Sequence, residues 1–66
     1  MDNRSLKQFI NLAETLHFGR ASEASNVSPS ALSRAIARIE DDVGVTLFER
    51  NNRSVALTRA GMLFLG

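Results

Sequence analysis

Hydrophobic residues recur along this chain with the 3.6-residue period of amphipathic α-helices, and the first such stretch lies at the amino terminus. Its apolar positions follow i, i+3, i+4 and i+7 spacing and are Leu6, Phe9, Ile10, Ala13 and Leu16. One of Asp2, Asn3 and Ser5 can cap the start, because a short polar side chain accepts a free backbone N–H there. We therefore predict a scaffold helix that buries this apolar stripe.

A second, shorter helix is predicted over residues 20–25, because Gly19 interrupts the helical pattern before it. Ala21 and Ala24 are small enough to let this helix pack closely against a neighbour. Asn26 follows at a position that suits a turn with a left-handed residue. A tight turn between two helices is therefore expected here.

A third helix is predicted over residues 29–43. Ser28 can cap its free N–H groups, Pro29 loses no hydrogen bond at the first helical position, and Gly44 ends the helix. Its buried stripe is Leu32, Ala35, Ile36, Ile39 and Val43, and its outward face is Ser30, Ser33, Arg34, Ala37, Arg38 and Asp41. Two helices joined in this way form a helix-turn-helix, so residues 29–43 are expected to be a recognition helix for the DNA major groove.

A β-hairpin is predicted over residues 47–58, where two short apolar segments flank Asn51–Asn52, a pair that tolerates the positive φ angles of tight turns. Arg50 and Arg53 are expected nearly opposite each other near the tip, as a wing for phosphates or the minor groove. Thr58 can cap a further helix that is too apolar for one turn to bury. We therefore expect the chain to be a fragment or an excised domain.

The composition is that of one small domain that only packing can stabilise, with 66 residues, no cysteine and four Phe as its only aromatic residues. A formal net charge of +1 is weak for a nucleic-acid binder, so the distribution of charge matters more than its sum. Arg34 and Arg38 lie nearer the amino end of the third helix, whereas the acidic residues 40–42 lie near its carboxyl end. No stretch approaches the roughly 20 apolar residues that span a bilayer, so a cytoplasmic protein with no membrane partner is expected.

No catalytic, metal or cofactor site is predicted. His17 is the single histidine and has no cysteine or carboxylate at a ligand spacing, which favours a helix-end residue over a ligand or base. Acidic residues 40–42 point in different directions on a helix, which favours a solvated face over a metal site. The chain also has no Gly-rich phosphate loop and little room for a buried pocket, so an enzyme is not expected.

Candidate DNA contacts lie on the third helix and at its start. Arg34 is expected to bind guanine O6 and N7, with a phosphate contact or a merely solvated side chain as the alternatives. Ser30 and Ser33 either donate to bases or phosphates or act as local caps. Ser28 is first a cap, and its hydroxyl can also meet a phosphate beside the helix amino terminus.

Further arginines extend this candidate surface. Arg53 is expected to enter a minor groove or clamp a phosphate. Arg50 either contacts DNA with it or pairs with Glu49 or Glu40 and braces the wing. The phosphate partners expected elsewhere are Arg20 and Arg38.

From Leu6 to Leu65 the chain resembles the amino-terminal DNA-binding domain of the LysR-type transcriptional regulators, a bacterial family. The residues that carry the resemblance are Phe18, Arg20, Ala21, Val27–Ser28, Ala31–Arg34, Ile36, Ile39–Glu40, Gly44, Leu47–Phe48, Arg50, Arg53, Leu57–Thr58, Ala60–Gly61 and Phe64–Leu65. The fold class that it implies is mainly α: a winged helix-turn-helix of three helices and a two-stranded β-hairpin wing, followed by the start of a linker helix.

The resemblance implies that residues 1–58 are the winged helix-turn-helix domain and that residues 59–66 begin a linker helix that pairs two subunits. It also implies that the protein binds double-stranded DNA at an interrupted inverted repeat, with a homodimer or tetramer in the full-length protein. A small-molecule effector would act through a carboxy-terminal domain absent from this chain. The alternative function is a winged-helix module for protein–protein assembly that does not bind DNA.

Several positions depart from the family's pattern. Many members have alanine where Ser22 stands and leucine where Ser25 stands, a change that loosens the second helix unless the Ser25 hydroxyl bonds to a carbonyl one turn back. Many also have glutamine and then proline where this chain has Pro29 and Ser30. Because proline cannot donate to adenine as glutamine does, base reading is expected to shift to Ser30, Ser33 and Arg34.

Overall fold

The structure is a computed structural model that describes residues 2–51 and 54–66. Its elements are helices α1 (Asn3–Thr15), α2 (Phe18–Ser25) and α3 (Pro29–Val43), strands β1 (Phe48–Arg50) and β2 (Val55–Leu57), and helix α4 (Arg59–Leu65). The two strands pair antiparallel with Phe48 opposite Leu57 and Arg50 opposite Val55. The prediction of a mainly α, winged helix-turn-helix fold is confirmed.

Polar caps begin three of the helices, as the sequence predicts. Asp2 caps α1 by accepting the Ser5 N–H at 2.8 Å, and this bond lowers the pKa of the Asp2 carboxyl. Ser28 Oγ accepts the Ala31 N–H at 3.1 Å, and Thr58 Oγ1 accepts the Gly61 N–H at 2.9 Å. Each cap satisfies a backbone donor that has no partner within its helix.

Left-handed residues end α2 and α3, so each helix stops where the sequence predicts. Asn26 has φ of 60° and Gly44 has φ of 79°. Both residue types adopt this conformation more readily than others do. The conformation of the turn between α2 and α3 is therefore determined by the residues of the turn itself.

The start of α2 differs from the prediction. The helix begins at Phe18 rather than at residue 20, and Gly19 lies inside it. His17 is the cap, with Nδ1 accepting the Arg20 N–H at 3.1 Å. A Cβ at Gly19 would lie 3.0 Å from His17 Cε1, so glycine leaves room for the capping imidazole.

The hydrophobic core lies between α1, α3 and the start of the hairpin. Its largest fully buried side chains are Phe9, Leu12, Leu32, Ile36, Ile39 and Leu47. The Phe9 ring centroid lies 5.4 Å from that of Phe48 and 5.0 Å, edge-on, from that of Phe64. Aromatic pairs at these distances add stabilisation beyond the burial of their area. Phe9 therefore joins α1 to both β1 and α4.

The predicted apolar stripe of α1 is only partly buried. Leu6, Ile10 and Leu16 are exposed by 40%, 36% and 40%. The buried face of α1 is centred between Phe9 and Leu12, which places Leu6 and Ile10 beyond one edge of it. Leu16 follows the last helical residue and has a left-handed backbone with φ of 52°. In α3 the predicted stripe is buried at Leu32, Ile36 and Ile39 and half-buried at Ala35 and Val43.

Close backbone contacts fix the hairpin beneath α4. The Leu47 carbonyl accepts the Thr58 N–H at 3.0 Å, and the Thr58 hydroxyl donates to the Thr46 carbonyl at 2.7 Å. A Cβ at Gly61 would collide with the Leu47 carbonyl oxygen, so α4 packs here only through glycine. None of the helices within residues 2–51 and 54–66 has the length and apolar character needed to cross a membrane.

Candidate nucleic-acid interface

The front of α3 presents polar side chains because its opposite side is buried. Leu32, Ile36 and Ile39 face the core, and a helical period of 3.6 residues then turns Ser30 and Arg34 outward. Ser30, Arg34, Ala37 and Arg38 are exposed, and Ser33 is half-buried at the edge of this front. We call the outward side of α3, from Ser30 to Arg38, the front of α3.

Hydroxyl groups cluster where α3 begins. Ser28 Oγ caps the helix and lies 3.3 Å from Ser30 Oγ, within hydrogen-bond distance. Pro29 is exposed between them and has no N–H to donate. The predicted role of Ser28 as a cap is therefore confirmed, and Ser30 shares a hydrogen bond with it.

Two arginines flank a shallow hollow on the front of α3. Arg34 and Arg38 lie one helical turn apart, and Ala31 and Ala35 form the hollow with them. Neither guanidinium has a hydrogen-bond or ion-pair partner among the residues that the structure describes. Small alanine side chains keep the space beside both cations open. This arrangement leaves ten N–H groups, five per guanidinium, free for external acceptors.

The Arg50 side chain has contacts that the sequence does not predict. Its Nη1 donates to Ser33 Oγ at 2.8 Å, and its guanidinium carbon lies 4.8 Å from the centroid of the Phe18 ring. Arg50 therefore braces the wing, as one alternative predicts, but through Ser33 and Phe18 rather than through Glu49 or Glu40. A planar guanidinium can stack on an aromatic ring and donate at its edge at the same time, which explains this choice.

Hydrogen bonds join Asn51 and Ser54, the described residues on either side of the wing tip. The Asn51 N–H donates to the Ser54 carbonyl at 3.0 Å, and Asn51 Oδ1 accepts the Ser54 N–H at 2.8 Å. Strand β1 pairs Arg50 with Val55. The prediction that Arg53 lies nearly opposite Arg50 concerns a residue outside the described range.

Glu40 is a positioning residue that the sequence does not reveal. Its Oε2 accepts the backbone N–H groups of Leu47 and Phe48 at 2.8 and 3.2 Å. The expectation of a solvated acidic face holds for Asp41 and Asp42, which are exposed, but is wrong for Glu40. Glu40 follows Ser33 by seven residues and so lies on the same side of α3, and in the structure both residues contact β1. The spacing alone does not identify β1 as the partner.

Helix α2 supplies the remaining candidates. The Arg20 side chain is exposed and has no partner within the described residues. Ser22, where the family often has alanine, is buried, and its Oγ donates to the Gly19 carbonyl at 2.8 Å. Ser25 Oγ instead accepts from Asn11 Nδ2 at 2.9 Å. The hydroxyl that bonds back along the helix is therefore that of Ser22, and Ser25 joins α2 to α1.

No group of three or more His, Asp or Glu residues within residues 2–51 and 54–66 is arranged to hold a metal ion. His17 uses one ring nitrogen as a helix cap, as a helix-end residue would. The polar groups that the fold gathers are hydroxyls and guanidinium groups. Groups of these types bind anionic and hydrogen-bonding surfaces.

Comparison with known proteins assigns the chain to a family. The family model of the bacterial regulatory helix-turn-helix proteins, lysR family, matches residues 3–62. The HTH-type transcriptional activator IlvY of Salmonella typhimurium is 59% identical over 61 residues, which are 92% of this chain and 21% of that protein. The chain thus spans about a fifth of the length of the curated relatives it matches.

Solved structures agree with this assignment. The DNA-binding domain of CbnR, solved as a DNA complex, has a TM-score of 0.92 and 40% identity over 98% of this chain and 75% of its own. Vibrio fischeri DarR, also solved in complex with DNA, has a TM-score of 0.91 and 37% identity over 98% of this chain and 22% of its own. The chain belongs to the LysR family of bacterial regulatory helix-turn-helix proteins.

Proposed function

We propose that this chain binds double-stranded DNA sequence-specifically, with α3 in the major groove and the hairpin on the backbone or in the minor groove. The observation that carries the proposal is the pair of guanidinium groups, on Arg34 and Arg38, that face outward without partners among the described residues. An α-helix fits the major groove, where guanine presents O6 and N7 to a bidentate arginine. Arg34, nearer the start of α3, is the residue proposed to read guanine.

The other polar groups divide between base reading and phosphate binding. Ser30 stands on the front of α3, and its hydroxyl can donate to a base or a phosphate. Ser28 and exposed Pro29 border the helix amino terminus, where a phosphate is favoured by the free N–H groups and the helix dipole. The side chains proposed to bind phosphates are Arg20, Arg38 and Arg53.

The relatives support a role in transcription. IlvY is named a transcriptional activator, and the CbnR domain was solved on DNA. We extend this role to the present chain as the DNA-binding part of a cytoplasmic transcriptional regulator without catalytic activity. Neither a cofactor nor a metal has a role in this proposal.

Helix α4 supports the proposal of a paired assembly. Met62 and Leu63 are exposed by 61% and 76%, an apolar surface that a second subunit would cover. We propose that residues 59–66 begin a linker helix after the DNA-binding domain of residues 1–58, and that the protein pairs on an interrupted inverted repeat. In the longer protein, a homodimer or tetramer would respond to a small-molecule effector through a carboxy-terminal domain.

The salt dependence of binding tests the proposal. A chain that neutralises about three to five phosphates should show log K falling with log salt at a slope of roughly −3 to −4.5 per monomer. The measurement is fluorescence anisotropy of a labelled random-sequence duplex between low and moderate salt. The alternative, a protein–protein assembly module, predicts no binding to this duplex, so a flat response at all salt concentrations contradicts DNA binding.

A further inference from the structure

Arg50 connects three elements of the domain through its guanidinium group. From strand β1 it donates to Ser33 Oγ of α3 at 2.8 Å and lies over the Phe18 ring of α2, 4.8 Å from the centroid. The first distance is that of a short charge-assisted hydrogen bond, and the second is within the range of cation–π attraction. The wing and the front of α3 are therefore joined through one side chain.

This contact restricts what the Ser33 hydroxyl can do. A serine hydroxyl has one proton and two lone pairs, whereas arginine has donors but no acceptor. Because Arg50 donates to Ser33 Oγ, the Ser33 proton has to point away from the guanidinium. Ser33 lies about 60° around the helix axis from Ser30, on the side of α3 that faces the wing. Its proton is thus available to an acceptor in front of α3.

We propose that Arg50 is a positioning residue, which holds Ser33 as a hydrogen-bond donor toward DNA and so couples the wing to base reading. The inference rests on the proposed function and assigns Arg50 a role other than direct DNA contact. The acceptor that Ser33 would bind is a base-edge oxygen or nitrogen, or a phosphate oxygen. Arg50 acts on DNA only through the orientation of this hydroxyl.

A double-mutant cycle separates this role from an independent phosphate contact. The variants are Ser33→Ala, Arg50→Gln and the double substitution, measured on a duplex that the unaltered chain has selected from a random pool. Each single change should weaken binding about ten-fold, since each removes the hydrogen bond from the Ser33 hydroxyl to DNA. If Arg50 acts through Ser33, the double variant should also lose about ten-fold, because Arg50 has nothing left to position.

Arg38 provides the matched control. It is an exposed arginine of α3 without a partner among the described residues, and it is proposed to bind a phosphate. Arg38→Gln combined with Ser33→Ala should therefore multiply the two separate losses. If the losses from Arg50→Gln and Ser33→Ala multiply to about a hundred-fold in the same way, the positioning role is wrong.

A conservative variant at Arg50 provides a second test of the positioning role. Arg50→Lys keeps a donor for Ser33 Oγ and should retain part of the binding, and Ser33→Ala should cancel that part. If Arg50→Gln lowers the melting temperature, Arg50→Lys takes its place in the comparison with Ser33→Ala. Retained binding that is unaffected by Ser33→Ala would contradict the proposal.

The acceptor is found by replacing single phosphates of the selected duplex with methylphosphonates, or single bases with analogues that lack one major-groove acceptor, which is N7 or O6 of a purine or O4 of thymine. One replacement should weaken the unaltered chain but not Ser33→Ala or Arg50→Gln, and its position tells a phosphate from a base. If the replacement that no longer affects Ser33→Ala still weakens Arg50→Gln as much as the unaltered chain, the coupling is contradicted. If the unaltered chain selects no sequence at all, the proposed function itself fails, an outcome distinct from a multiplicative cycle.

Discussion

Glu40 should contribute more to the stability of this domain than any exposed acid. One carboxylate oxygen accepts the N–H groups of Leu47 and Phe48 at 2.8 and 3.2 Å, where the chain leaves α3 and enters β1. Glu40→Ala leaves both N–H groups without this acceptor. Hydrogen bonds to charged groups contribute roughly 1.5–3 kcal/mol each, and a half-buried site reduces that, so we expect a total loss of about 2–3 kcal/mol.

This loss is large for so short a chain. A domain of 66 residues is stable by about 3–10 kcal/mol, so Glu40→Ala should remove a substantial fraction of it. Urea denaturation, monitored by the circular dichroism signal of the helices, measures the free energy of unfolding and needs no tryptophan probe. Glu40→Gln keeps a neutral acceptor and should lose only about 1 kcal/mol.

Asp41→Ala is the matched control, because Asp41 is the next residue on α3 and is exposed. It should change the free energy of unfolding by no more than about 0.5 kcal/mol. Equal losses for Glu40→Ala and Asp41→Ala would show that Glu40 has no special contribution to stability. The two backbone bonds would then contribute nothing that water does not supply.

Two further predictions concern DNA reading and the packing of α4. Arg34→Ala should relax specificity at one base pair by about 1–3 kcal/mol, whereas Arg53→Ala should weaken all sequences alike and reduce the salt slope by about 1. Binding to a set of single-base variants of the selected duplex distinguishes the loss of specificity from uniform weakening. Identical loss profiles for Arg34→Ala and Arg53→Ala would contradict this division between base reading and phosphate binding. Gly61→Ala should destabilise the domain by about 1–3 kcal/mol, because the new Cβ meets the Leu47 carbonyl oxygen. Thermal melting measures this, and an unchanged melting temperature would mean that α4 does not pack there.

Local chemistry made the helix-turn-helix predictable from the sequence. Ser28 and Pro29 start α3, and Asn26 and Gly44 adopt the left-handed backbone expected of them. Each of these features depends on a side chain and its immediate neighbours. The outward position of Arg34 was predictable for the same reason, since it follows from the helical period.

The interactions that the sequence did not predict are of two kinds. His17 caps α2 with a ring nitrogen, a role usually taken by Ser, Thr, Asp or Asn, so the helix start was placed too late. Glu40 accepts hydrogen bonds from residues 7 and 8 positions away, and Arg50 donates to a residue 17 positions away. These partners depend on where the hairpin packs. Periodicity likewise predicts an apolar face for α1 but does not determine that Leu6 and Ile10 remain exposed.

Selection of bound duplexes from a random DNA pool is the decisive test of sequence-specific DNA binding by α3. The chain, held as a dimer, is compared with Arg34→Ala under the same conditions. We expect enrichment of an inverted repeat with half-sites about one helical turn or a multiple of it apart, and a broadened or lost preference in the variant. No enrichment by either protein would contradict sequence-specific DNA binding and leave protein–protein assembly as the function of this domain.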